Sequence, residues 1–79
     1  MSPTILRDGP YRYFFFSREE TRKHIHVVSG DGEAKFWLEP VIALAEFSGF
    51  NSKQLARIQK FVEKHHHEFI RKWDAHFNC

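Results

Sequence analysis

Apolar and polar positions alternate through the first half of the chain and recur every three or four residues in the second. Alternation marks strands and the longer period an amphipathic helix. Pro3 to Arg7 is a short apolar run ending at Asp8-Gly9, a dipeptide suited to the positive backbone angles of a tight hairpin. Pro10 follows and has no N–H, so a connection wider than two residues is expected, with its register left open. Tyr11 to Phe16 is the most aromatic strand, and Ser17 to Lys23 is a charged, solvated loop. His24 to Val28 returns as a strand, Ser29-Gly30-Asp31-Gly32 turns, and Glu33 to Leu38 pairs back. The pattern predicts four antiparallel strands near residues 3–7, 11–16, 24–28 and 33–38.

Pro40 suits the first turn of a helix, where its missing N–H has no cost, and Val41, Ile42, Leu44 and Ala45 lead to a stop near Gly49. A helix near 40–48 is expected. Asn51 and Gln54 have the spacing of a capping box, and Leu55, Ile58, Val62, Phe69, Trp73 and Phe77 repeat with helical period. One long helix near 52–76 follows, with His66 and His76 in its apolar stripe, His65 at the edge and His67 opposite. The class is α+β: a single domain over 1–79, in which a four-stranded antiparallel sheet carries two C-terminal helices on one face.

Strand side chains point alternately to two faces. One parity collects Phe14, Phe16, Ile25, Val27, Ala34, Phe36 and Leu38, almost wholly apolar, and is expected beneath the helices. The other collects Tyr11, Tyr13, Phe15, His24, His26, Val28, Lys35 and Trp37. Two helices cover only one face, so this aromatic and imidazole set is expected to stay open and to serve as a binding surface.

Composition narrows the function classes. The chain has 79 residues with 12 basic and 10 acidic side chains, a formal charge of +2. Residues 1–50 carry 6 basic and 7 acidic groups and residues 51–79 carry 6 and 3, so the excess lies in the C-terminal part. That is far weaker than the basic stripe of a dedicated duplex binder. Cys79 is the one cysteine, which excludes an intrachain disulfide and suits a cytoplasmic setting. No apolar run approaches the twenty or so residues of a membrane span, so no membrane partner is expected. There is no nucleophile elbow, phosphate-cradling glycine loop or dinucleotide fingerprint, and no organic cofactor is expected.

Six histidines are the main candidates for chemistry. His24 and His26, two apart on a strand, point to one face at a separation suited to a divalent metal; a third ligand would come from Glu33 or a helix histidine. The bland alternative is a pair of half-buried strand or interface residues. His65, His66 and His67 radiate from a helix and cannot together grip one ion. Arg71 and His76 match the Arg-x4-His spacing of certain all-helical ribonuclease toxins, on a chain that is half strand. His24, His26 and Lys35 form an alternative set for RNA cleavage, with one ring taking the 2′-hydroxyl proton and a cation stabilising the phosphorane.

The segments Pro3-Thr-Ile-Leu-Arg7, Tyr11-Arg-Tyr-Phe-Phe-Phe-Ser17, His24-Ile-His-Val27 and Gly32-Glu-Ala-Lys-Phe-Trp-Leu-Glu-Pro40, with Gly49-Phe50 and the Trp73 region, are distinctive. Together they resemble the bacterial domain-of-unknown-function family 4160 over nearly the whole chain. Arg22-Lys23 stands where that family usually has prolines, and the triple histidine is not a family feature. The resemblance implies a small cytosolic prokaryotic protein, often encoded beside a small protein of a second uncharacterised family, 2442, as in toxin–antitoxin modules. The expected function is an interaction protein whose Tyr11, Tyr13, Phe15, His24, His26, Lys35 and Trp37 face docks that partner or single-stranded RNA. An RNA-cleaving toxin using His24 and His26, directly or through a metal, and a homodimer with the face self-buried remain the alternatives.

Overall fold

A computed structural model describes residues 4–15 and 22–77. Its elements are β1 (Thr4–Asp8), β2 (Tyr11–Phe14), β3 (His24–Ser29), β4 (Gly32–Trp37), β5 (Ala43–Ser48), α1 (Ser52–Lys64) and α2 (His66–Phe77). The strands form one antiparallel meander in the order β1-β2-β3-β4-β5, and the helices follow it. The α+β class, the antiparallel sheet and the two C-terminal helices are as the sequence pattern predicts; the sheet has five strands rather than four.

The fifth strand replaces the helix expected near 40–48. Leu44 and Phe47 are three apart, a helical spacing, yet both oppose residues of one sheet face: Leu44 pairs with Phe36 and Phe47 with Ala34. A bulge between Lys35 and Phe36 shifts the register by one residue and brings them to the same side. Pairing here also satisfies backbone groups that the edge of β4 would otherwise leave to solvent, an advantage that a six-residue helix lacks. The Ala-Leu-Ala-Glu propensity for helix is overridden by that pairing.

The β1–β2 connection is tighter than Pro10 suggests. Asp8 pairs with Tyr11, so only Gly9 and Pro10 lie between the strands. Gly9 has φ 59°, the sign required at the first central position of a type II′ turn, and proline's fixed negative φ suits the second. The hydrogen bonds closing such a turn belong to the flanking residues, so Pro10 loses nothing by lacking an N–H. The β3–β4 turn falls at Gly30-Asp31, between paired Ser29 and Gly32, as expected. The charged loop expected at Ser17 to Lys23 falls mostly outside the described residues, as does Phe16.

The single long helix expected near 52–76 is two. Asn51 and Gln54 form the capping box that starts α1, with Gln54 N–H donating to Asn51 Oδ1 at 2.8 Å and Asn51 N–H to Gln54 Oε1 at 2.9 Å. His65 interrupts the helical run at φ −106°, ψ 21°. Beyond it, His66 Nε2 donates to the Leu38 carbonyl at 2.8 Å and ties the start of α2 to the end of β4. Each helix then buries its own pair, Ile58 and Val62 from α1, Phe69 and Trp73 from α2. The periodicity ran on through the histidines because the two stripes happen to be in phase.

The core lies between the helices and one sheet face, and β2 contributes the opposite parity from that expected. Tyr11, Tyr13 and Phe15 are buried with Ile25, Val27, Ala34, Phe36 and Leu38. Tyr13 stacks on Phe61 of α1 at 4.6 Å, Tyr11 meets Phe50 edge-on at 5.7 Å, and Phe15 meets Trp73 edge-on at 5.3 Å. Register decides this. Tyr13 pairs with Val27, and Phe14 with His26, so Phe14 belongs to the outer face. Hydropathy favoured burying Phe14 over Tyr13, but a tyrosine ring delivers nearly the same apolar area. The Tyr13 hydroxyl is buried with no hydrogen-bond partner among the described residues, and burial pushes its pKa upward.

Two expectations test this packing. Gly49 has φ 87°, and a Cβ there would overlap the Asp31 carbonyl oxygen and press on Gly32, so Gly49→Ala should lower stability by at least about 2 kcal/mol in denaturant titration. Gly30→Ala is the matched control, since nothing lies within 4 Å of its added methyl group, and it should be near neutral. Tyr13→Phe removes an unsatisfied buried hydroxyl and should hold or raise the unfolding free energy at neutral pH, by on the order of 1 kcal/mol. With the folded pKa raised, the phenol's contribution is complete below about pH 10, where the unfolded chain ionises, and is lost as pH rises. Melting temperatures of Tyr13→Phe should therefore fall less steeply above pH 10 than those of the wild type.

Candidate functional site

The outer sheet face, turned away from the helices except at His24, which Trp73 of α2 reaches, is laid out in cross-strand rows by the register. Arg7, Arg12, Val28, Glu33 and Ser48 form one row; Thr4, Phe14, His26, Lys35 and Glu46 form the next. His24, Trp37 and Ala43 make a third, at the far end of β3, β4 and β5. Residues directly opposite in an antiparallel pair share a face, so these assignments follow from pairing alone.

Of the seven residues expected on the binding face, three are elsewhere. Tyr11, Tyr13 and Phe15 pack under the helices, because β2 presents them on the side of Val27. His24, His26, Lys35 and Trp37 do share the outer parity, but they are not equally open. His24 is fully buried, with Trp37 at 5.7 Å, His26 at 5.1 Å and Trp73 of α2 at 4.9 Å, all edge-on. Its Nδ1 lies 2.7 Å from the Arg22 carbonyl and donates to it. Lys35 is 7% exposed, with its ammonium 4.5 Å from the Trp37 ring centre. His26 and Trp37 remain half-buried.

The rings are capped by cations rather than bare. Arg22 lies 4.2 Å over Trp37 and donates from Nε to the Glu39 carbonyl at 2.8 Å. Trp37 thus meets two cations, an arrangement that its quadrupole stabilises. Phe14 stacks on His26 at 5.6 Å and carries the Arg12 guanidinium at 4.9 Å, while Arg12 also donates to Thr4 Oγ1 at 3.0 Å. Beside them His26, Glu33, Lys35, Glu46 and Phe47 line an open hollow of about 230 Å³.

Charge is divided along the face. Arg7 and Arg12 stand opposite one another at the β1–β2 end, and Glu33 and Glu46 occupy the β4–β5 end. No ion pair holds Arg7, Glu33 or Glu46 among the described residues. The ion pairs between described residues lie away from this patch, as with Arg57 and Asp8 at 3.2 Å and Lys23 and Asp74 at 2.7 Å.

Sequence reading missed Arg7, Arg12, Phe14 and Arg22 as members of this face. A signal was present: Arg12 is the one charged residue in the aromatic run and shares parity with Phe14, which marks that parity as the outer one. For metal, no group of three or more His, Cys, Asp or Glu gathers among the described residues. Glu33 opposes Val28 rather than His26, and His66 is committed to the Leu38 carbonyl. Of the other helix histidines, His65 lies 3.2 Å from Glu68 and 4.3 Å from the Phe61 ring, His67 is exposed, and His76 sits against Phe15 at 5.9 Å. No helix among the described residues is long and apolar enough to cross a membrane.

The chain matches no curated protein and no solved structure. A family model described as Domain of unknown function (DUF4160) matches residues 11–74, from β2 through most of α2, with the rows of the outer face inside it apart from Arg7 and Thr4. That span is most of the molecule, and the chain belongs to this family.

Proposed function

We propose that the protein is a noncatalytic interaction component of a two-protein, toxin–antitoxin-like module in the cytoplasm, and that the outer sheet face docks a partner protein. The observation that carries the reading is the composition of that face: the half-buried Trp37 and His26 at its centre, cations over the Trp37 ring, and opposite charges at its two ends. Aromatic residues and arginine are enriched at the centres of protein interfaces, with charged groups toward the rim.

Single-stranded RNA gets less support from the same geometry. Base stacking needs accessible rings, and Phe14 is 8% exposed while Trp37 is flanked by Arg22 and Lys35. Glu33 and Glu46 would repel phosphates along half the surface. RNA cleavage by a histidine pair needs both imidazoles at the substrate, and His24 is fully buried with Nδ1 engaged, so His26 and Lys35 would have to act without it.

Co-expression with the protein encoded by the adjacent gene, followed by affinity capture, tests the reading. His26→Ala and Trp37→Ala combined should reduce capture at least tenfold while the far-ultraviolet circular dichroism stays that of the wild type. Undiminished capture would remove the face from the interaction. Growth arrest on expression that is abolished by His26→Ala in folded protein would favour a cleaving enzyme over a docking protein.

A further inference from the structure

Charge on the helix layer is gathered into one line. Lys53, Arg57, Lys60 and Lys64 on α1 and His67 and Arg71 on α2 follow one another at alternating intervals of four and three residues, and all six are exposed. At about 100° per residue these positions stay within a stripe roughly 80° wide, opposite the buried Ile58, Val62, Phe69 and Trp73. The joint at His65 does not break the line. The His65 N–H donates to the Phe61 carbonyl at 3.1 Å and the Phe69 N–H to the His65 carbonyl at 2.9 Å, which carries the helical phase from one helix into the next. From Lys53 to Arg71 the stripe extends about 27 Å along the helix axes, at 1.5 Å per residue.

No acid lies on the stripe, and those beside it are engaged. Asp8 holds Arg57 at 3.2 Å, Glu63 accepts from Gln59, and Glu68 sits between Lys72 and His65. No ion pair holds Lys53, Lys60, Lys64 or Arg71 among the described residues. The arrangement works against the helix itself: Lys53 with Arg57 and Lys60 with Lys64 are like charges four apart, and Lys53 occupies the first turn of α1, where the helix dipole disfavours a cation. Net charge conceals the stripe. With its five lysines and arginines set aside, the rest of the sequence has 7 basic and 10 acidic side chains.

What such a line fits is narrowed by what it lacks. Val41, Leu44 and Phe47 are the exposed large apolar residues among the described ones, and none is on a helix, so the stripe has nothing to insert into a lipid surface. No exposed Phe, Tyr or Trp flanks it to stack an unpaired base. Cations at regular intervals along a rod match a regular row of phosphates; a DNA duplex presents one negative charge per about 1.7 Å of its axis, beside a major groove wide enough to admit a helix. We infer that the stripe is a second binding surface, on the side of the molecule away from the outer sheet face, and that it holds double-stranded DNA by its phosphates without reading the sequence. Lys53, Lys60, Lys64 and Arg71 make the contacts, and Arg57 is shared with Asp8. The inference does not depend on the docking reading of the outer face.

Fluorescence anisotropy of a labelled duplex of about 20 base pairs and arbitrary sequence tests this. At about 0.05 M salt the wild type should bind with a Kd on the order of 10 μM, and log K should fall against log salt with a slope of about −3.6, the value for four phosphate contacts. Lys60→Gln with Lys64→Gln should lower affinity at least tenfold at that salt and bring the slope to about −1.8, with an unchanged far-ultraviolet circular dichroism spectrum. Lys23→Gln with Lys72→Gln removes the same charge from ion-paired positions off the stripe and should bind within about twofold of the wild type. His26→Ala with Trp37→Ala should bind as the wild type does, which separates this surface from the outer face. The wild-type slope and a comparison with the single strand of equal length need no variant to fold. A wild type that leaves the duplex unbound at about 100 μM chain, a slope shallower than about −2, equal losses in the two lysine pairs, tighter binding of the single strand, or displacement of the duplex by polyglutamate of equal charge each overturns the inference.

Discussion

The structure depends on the register between β2 and β3. Strand side chains have a period of two, so a slip of one residue would exchange the whole of β2 between core and surface. With Tyr13 opposite Val27, three aromatic rings go to the helices, and Phe14 joins His26 outside. The helices respond to that choice: Phe61 and Phe69 close on Tyr13 at 4.6 and 5.8 Å, and Trp73 on Phe15 at 5.3 Å. In a chain of 79 residues a core must be built from few, large side chains, and these rings supply it.

The same register makes the outer face. Once Phe14 and Arg12 lie beside His26 and Val28, the face acquires a basic end to balance Glu33 and Glu46. Trp37 and Phe14 are held as apolar plates under guanidinium and ammonium groups, so the surface combines apolar area with directional charge. The imidazole most buried, His24, is engaged with the backbone and edge-on to two tryptophans, which gives it a packing role between the sheet and α2.

At the ends of the fold, single contacts set geometry. His66 on the Leu38 carbonyl fixes where α2 departs from the sheet, and Arg57 on Asp8 joins α1 to the first hairpin. Gly32 and Gly49 let β4 and the exit from β5 approach more closely than any side chain permits. The triple histidine is thereby divided among three jobs: His65 at the helix joint, His66 at the sheet, and His67 in solvent.

What the sequence by itself determined is whatever local chemistry decides: four of the strands, both short turns as turns, the Asn51–Gln54 cap, the apolar stripe of the helices, and the inward set Ile25, Val27, Ala34, Phe36 and Leu38. Clean alternation or a capping pair fixes these without reference to distant residues. Only the tertiary structure decided the parity of β2, the fifth strand, the break at His65 and the burial of His24. In an aromatic run such as Tyr13-Phe-Phe15 both parities are apolar, so local pattern is silent and the partner strand chooses. Leu44 and Phe47 mimic a helix until a bulge places them on one face. A backbone carbonyl 28 residues away commits His66, and no periodicity carries that information.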